Sequence, residues 1–148
     1  MKIKLEEHQK YETKYQDLVL FDGTCNLCNW WVDLIIKLDK KKKFKFHFLQ
    51  NEISNRFLKL VPSDRKNNQF DSIIVIKNIS TLLTKSDAAI YVMSRSSKLF
   101  FVLRLFLIVP TFIRDGVYNF IGRNRYKWFG KKNVCRVITD DIKNRFVN

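Results

Sequence analysis

Glycine and proline are scarce in this chain, four and two residues among 148. None of the glycines falls in a GxxxxGK[ST] pattern, which excludes a Walker-type phosphate loop. Neither an internal repeat nor a low-complexity linker interrupts the sequence, so no domain boundary is visible. Cysteine is sparse as well. Three of them, Cys25, Cys28 and Cys135, are a poor number for a disulfide framework. In a reducing compartment a close pair serves catalysis, redox sensing or metal binding before it serves structure. The opening segment Met1–His8 has no apolar core, so no secretory signal is read there. The longest apolar stretch, Leu99–Val109, is broken by Arg104 and falls short of the roughly 20 residues a spanning helix needs. These absences predict a cytoplasmic protein with no transmembrane segment. Acidic residues are half as many as basic ones, 14 against 28, for a formal net charge of +14. Such a balance favours nucleic acid, an anionic membrane face or acidic small molecules, although runs such as Lys40–Lys43 also suit a plain solvated surface.

What is present describes one folded domain. Hydrophobic residues make up 46% and aromatic residues 14% of the chain, enough for a real core. Residues 1–16 are polar and read as a flexible lead-in, with a single domain over 17–148. Leu18-Val19-Leu20-Phe21 is a short buried strand that stops at the turn signal Asp22-Gly23. Trp31, Leu34, Ile35 and Leu38 then recur at helical spacing, with Asn29, Asp33 and Lys37 on other faces. Phe44–Phe48 alternates with period two, as a half-buried strand does. Glu52–Leu60 reads as a helix. Ile73–Ile76 reads as a central strand, paired in a hairpin with Ile79–Thr84. Ser86 is the expected cap of the next helix. Further helix is expected over Leu99–Val109, packed in the core, then past Pro110 towards Trp128, with a last short helix over Asp140–Phe146. The order is α/β, βαβαββα with a helical C-terminal extension, which is the thioredoxin pattern: a mixed sheet with helices on both faces.

The chemistry lies in Asp22-Gly23-Thr24-Cys25-Asn26-Leu27-Cys28, between the first strand and the first helix. Unpaired N–H groups and the macrodipole at a helix N-terminus favour a thiolate, so Cys25 is expected to titrate low. Cys28 lies one turn on, close enough to resolve a mixed disulfide. Asn26-Leu27 brings no cation or His to the pair, so a mildly reducing couple is expected. Zinc is the main competing use, but Cys135 and His47 form no second ligand pair, and His47 reads as a solvent-facing strand residue. Phe21-Asp22-Gly23-Thr24 looks like the strand end of haloacid dehalogenase-type phosphatases, yet Leu20 stands where their nucleophilic Asp is needed.

With Asp22, Cys25 and Cys28 so spaced, the chain resembles the DCC family of thiol–disulfide oxidoreductases, named for its Asp and two Cys. The resemblance extends to Phe70-Asp71-Ser72, Thr84–Ala89, Arg114–Tyr118, Arg123–Gly130 and Cys135-Arg136, covering about residues 17–147. It implies a thioredoxin-like fold and a redox role without an organic cofactor or metal. Thioredoxins carry a cis-proline before the third strand; Asp71-Ser72 stands there instead, making both residues candidates for holding substrate.

On this reading Cys25 attacks a disulfide-containing protein or small thiol substrate and Cys28 resolves it. Asp22 orients the turn by accepting backbone N–H bonds, or takes a proton from Cys28. Arg123 and Arg125 are candidate supporting residues for an anionic substrate, with Arg125 expected to pair with Asp115. Aromatics interleave with the basic groups from Arg123 to Arg136. This leaves a second reading open, a thioredoxin-like binding module for an anionic partner. The expected arrangement has the aromatics packed on the sheet and the basic groups in water, which makes nucleic acid an unlikely partner. Cys135 is expected to be a plain thiol, with a third redox role as the alternative.

Overall fold

Asp17–Phe21 forms strand β1, followed by helix α1 (Asn26–Leu38) and strand β2 (Phe44–Phe48). Strands β3 (Ile74–Lys77) and β4 (Thr81–Thr84) precede helix α2 (Lys85–Ser96), a 3₁₀ helix (Lys98–Ile108) and the long helix α3 (Thr111–Phe129). A single 3₁₀ turn, Lys143–Arg145, comes near the end. The computed structural model describes residues 17–52, 54, 73–77 and 81–147. Most of the helix expected over Glu52–Leu60, the start of the strand expected from Ile79, and the lead-in 1–16 lie outside the described residues.

The four strands run in the order β2-β1-β3-β4. β1 pairs parallel with β2 and antiparallel with β3, and β3 pairs antiparallel with β4. This is the thioredoxin-like arrangement, a mixed sheet with added C-terminal helices. The parallel crossover through α1 leaves the C-terminal end of the inner strand β1 and the N-terminus of α1 together at one end of the strands, where the cysteines stand.

One sheet face carries the main core. Val19 and Phe21 of β1, Phe46 of β2 and Val75 of β3 meet Trp31, Val32 and Ile35 of α1 and Ala88 and Val92 of α2. Each such side chain contributes about 1.5–3 kcal/mol by leaving water. On the opposite face Leu20, Ile74 and Ile76 pack with Leu49. Helices on both faces were expected; among the described residues α1 and α2 cover one of them.

Several expectations are corrected. The buried stripe of α1 is centred on Cys28, Asn29, Trp31, Val32 and Ile35, so Asn29 faces inward. Thr84, in extended conformation, precedes α2, and Ser86 sits within its first turn with Oγ donating to Asp115 Oδ1 at 2.5 Å. The Leu99–Val109 run is not core: no residue of the 3₁₀ helix is buried. The sheet face it would have covered is already filled by α1 and α2. His47 is buried as well, because the chain end lies along the β2 edge. Val147 N donates to Phe46 O at 3.0 Å, and His47 Nδ1 contacts Val147 O at 3.0 Å. Burial pushes the His47 pKa below its ordinary value, with partial compensation from Val147. The last segment is a 3₁₀ turn followed by this extended pairing.

Candidate functional site

β1 ends at Phe21 and the chain turns through Asp22-Gly23-Thr24 into α1. Asp22 holds the turn: its Oδ1 accepts from Thr24 N at 2.9 Å and Thr24 Oγ1 at 2.7 Å. The parallel register sets Phe48 beside Phe21, and two residues on Gln50 reaches the same carboxylate, its Nε2 donating to Oδ1 at 2.6 Å. Gly23 is demanded by close approach, since a Cβ there would come within 2.5 Å of the Phe48 ring.

Cys25 takes the N-cap position of α1 with φ −80° and ψ 122°. Its Sγ accepts from Cys28 N at 3.2 Å, where a Ser or Asp oxygen ordinarily caps. Both thiols are free and buried, Cys25 at 0% exposure. Asn29 braces the loop, its Nδ2 donating to Gly23 O at 2.9 Å and Cys25 O at 3.0 Å.

The electrostatics separate the two thiols. The hydrogen bond between the cysteine side chains is the largest influence on Cys25; with the Cys28 backbone N–H and the charge of Arg125 it outweighs burial and lowers the pKa from about 9 to about 7. The same hydrogen bond, reinforced by burial and the Cys25 charge, pushes Cys28 well above the thiol range. Asp22 is opposed by burial but is held below its ordinary value by hydrogen bonds, first from Tyr126 and then from Thr24 and Gln50.

Helix α3 supplies the other half of this cluster. Arg125 Nη2 lies 3.2 Å from Asp22 Oδ2, with side chains 5% and 6% exposed. Tyr126 OH donates to the same Oδ2 and accepts from Arg125 Nη2 at 3.0 Å. Burial works against the Arg125 charge, but Tyr126 and the neighbouring thiols outweigh it and the group is held more firmly protonated. Burial, then the Asp22 hydrogen bond, raises Tyr126.

The segment after α3 covers Cys25. Gly130, at φ +83°, ends the helix and turns the chain across the motif. Asn26 N donates to Gly130 O at 3.4 Å, Lys131 pairs antiparallel with Cys25, and Lys132 N donates to Thr24 O at 2.8 Å. Asn26 Nδ2 donates to Phe129 O at 2.9 Å. Arg136 closes the strap, with N donating to Gly23 O at 3.3 Å and Nη2 2.6 Å from Asp33 Oδ1.

The structure thus brings Asp22, Cys25, Cys28 and Arg125 together. Arg125 pairs with Asp22 and not with Asp115, which accepts from Ser86. Arg123 faces solvent, its Nε donating to Asn119 O at 3.4 Å, and takes no part in the cluster. Trp128 and Phe129 are exposed, so the aromatics of this stretch are not all packed inward while Arg125 is. Asp71 and Ser72 lie outside the described residues. Cys135 is half-buried on the strap. Among the described residues no group of three or more His, Cys, Asp or Glu stands where it could hold a metal ion. Sequence reasoning missed Asn29 and Gln50. Asn29 had a signal, one turn beyond the N-cap of a helix with a buried face; Gln50 had only the strand register.

The family described as DCC1-like thiol-disulfide oxidoreductase matches residues 19–131. The chain is 45% identical over 132 residues to the protein YuxK of Bacillus subtilis (strain 168), covering 88% of this chain and 93% of that one. It is 31% identical over 128 residues to a chloroplastic DCC family protein of Arabidopsis thaliana, covering 86% and 73%. No solved structure matches the chain at a significant level.

Proposed function

From the chain's place in the DCC1-like thiol-disulfide oxidoreductase family, to which it belongs, we propose that it exchanges disulfides through Cys25 and Cys28. The observation that carries this reading is the division of labour between two thiols on one helical turn. Cys25 caps α1 with a pKa of about 7 while Cys28 is held as a thiol.

The Cys25 thiolate attacks one sulfur of a substrate disulfide. A Cys25–substrate mixed disulfide forms, and the other substrate sulfur leaves as a thiolate. Cys25 Sγ thereby loses its negative charge, which removes the largest cause holding the Cys28 proton. Cys28 attacks Cys25 Sγ as its proton passes to the leaving substrate sulfur; the Cys25–substrate bond breaks, the Cys25–Cys28 disulfide forms and the second substrate thiol is released. Two electrons have passed to the substrate, and a thiol donor returns them. Asp22 and Arg125 act as positioning residues. Asp22 holds the turn and fixes the guanidinium, whose charge offsets the carboxylate beside the developing thiolate. The substrate is a disulfide-containing protein or small disulfide admitted when the strap 130–136 moves aside.

Equilibration in graded thiol/disulfide buffers, followed by alkylation and mass spectrometry, tests the reading. One reversible two-electron transition confined to Cys25 and Cys28 is expected, with Cys135 alkylated throughout. Cys25→Ser abolishes disulfide reduction, and Cys28→Ser accumulates the mixed disulfide. A pair that stays reduced across the whole range ends the proposal.

A further inference from the structure

Helix α3 is built inside out. Arg114, Tyr118, Arg125 and Tyr126 turn towards the body, while Phe112, Val117 and Phe120 turn to water. The inward face is held by polar contacts: Arg114 Nη1 to Asp87 at 2.5 Å, Tyr118 OH accepting from Ile73 N at 2.9 Å, and the Asp22 cluster. A helix whose polar side is spent on its own protein leaves its apolar side for something else. The 3₁₀ helix adds to this surface, with Phe101, Leu105 and Ile108 between 58% and 81% exposed and no residue buried. Soluble proteins that act alone rarely leave so many large apolar side chains exposed on two successive helices.

Charge selects the partner. Lys98, Arg104, Arg123 and Lys127 are the exposed charged groups of these two helices; the only acid there, Asp115, is half-buried and accepts from Ser86. The whole chain carries +14. A second copy would set cations against cations. No described helix is long and apolar enough to cross a membrane. Apolar side chains bordered by cations, on helices not both long and apolar enough to span, suit an anionic surface with an apolar interior. We propose that the outer faces of the 3₁₀ helix and α3 seat this protein on the surface of an anionic lipid bilayer, with Arg104 and the flanking cations at headgroup level.

Flotation of the full chain with vesicles tests this, using phosphatidylcholine alone or mixed with phosphatidylglycerol. Partitioning about tenfold or more stronger on the anionic vesicles is expected, weakening with salt as surface charges are screened. Trp128 fluorescence should shift to the blue on binding. The combined variant L105Q/I108Q/F112Q should lose partitioning about tenfold or more. These side chains are exposed, so its circular dichroism and the Cys25–Cys28 redox transition should stay as in the parent. A parent chain that remains with buffer at every lipid composition overturns the proposal. So does equal binding by the triple variant, or a dimer in light scattering that the triple variant dissolves, which would assign the face to a second copy.

Discussion

A single guanidinium does two things beside the cysteines, since Arg125 neutralises buried Asp22 and favours the Cys25 thiolate. The thiolate is the form favoured by a lowered pKa, so Cys25 reactivity is present above about pH 7 and falls away below it. Iodoacetamide trapping across pH should therefore give a midpoint near 7 for Cys25. Arg125→Met should move that midpoint towards the ordinary thiol value and cost about 3–5 kcal/mol in denaturant unfolding, because it strands a buried carboxylate. Arg125→Lys should keep the midpoint closer to the parent, since it keeps the charge. At this scale the sequence was partly legible. Asp22, Cys25 and Cys28 announce themselves by spacing and by their place between strand and helix. The partner of Arg125 did not, because Asp22 lies 103 residues away, and spacing carries no information at such range. The influence of Arg125 on the pair was hidden for the same reason: Asn26-Leu27 carries no cation, and the one that acts on Cys25 comes from a distant helix.

At the scale of the element, Gly130 sets the path of the strap over Cys25. Its φ of +83° lets α3 end and the strap return across the motif. With ψ at 168°, this is a conformation open essentially to glycine, and an L-residue there is strained by about 1–3 kcal/mol. If opening relieves that strain, Gly130→Ala raises the open population about 5- to 150-fold. Alkylation of Cys25 well above pH 7 should then be faster by up to that factor, with the pH midpoint unchanged. An unchanged rate would mean that strap opening does not limit access. Strands were easier to read than helices. Phe44–Phe48 and Ile73–Ile76 carry a period of two or a continuous β-branched run, and both fall where expected. Leu99–Val109 is apolar nearly all round, and such a run looks the same whether core or surface receives it. The sheet face had already been taken by Trp31, Val32, Ile35, Ala88 and Val92.

Across the whole molecule, the chain end completes the sheet. Phe146 packs against Phe21, Phe46 and Phe48 with ring centroids 6.2, 5.9 and 5.6 Å apart. Arg145 pairs with Asp39 at 2.7 Å, with side chains 4% and 1% exposed. Phe146→Ala should cost about 3–5 kcal/mol in urea unfolding. A loss below about 1 kcal/mol, the size of an ordinary surface substitution, would mean the tail is an accessory. The fold class was legible because strand and helix periods alternate in an order with few solutions. The tail's return to β2 was not, since only three dimensions bring Phe146 to Phe46.

The strap and the Asp22 cluster also set a timetable for biosynthesis. Arg125 follows Asp22 by 103 residues, so at about 5–20 residues per second it leaves the ribosome about 5–20 s later. Until then the turn lacks the guanidinium that pairs with Asp22 and the strap that covers Cys25. Residues 125–136 must be synthesised before the pair acquires the Arg125 charge and, with the strap in place, its cover. A product terminated before Arg125 would emerge with the Cys25 turn uncovered and without the charge that further favours its thiolate.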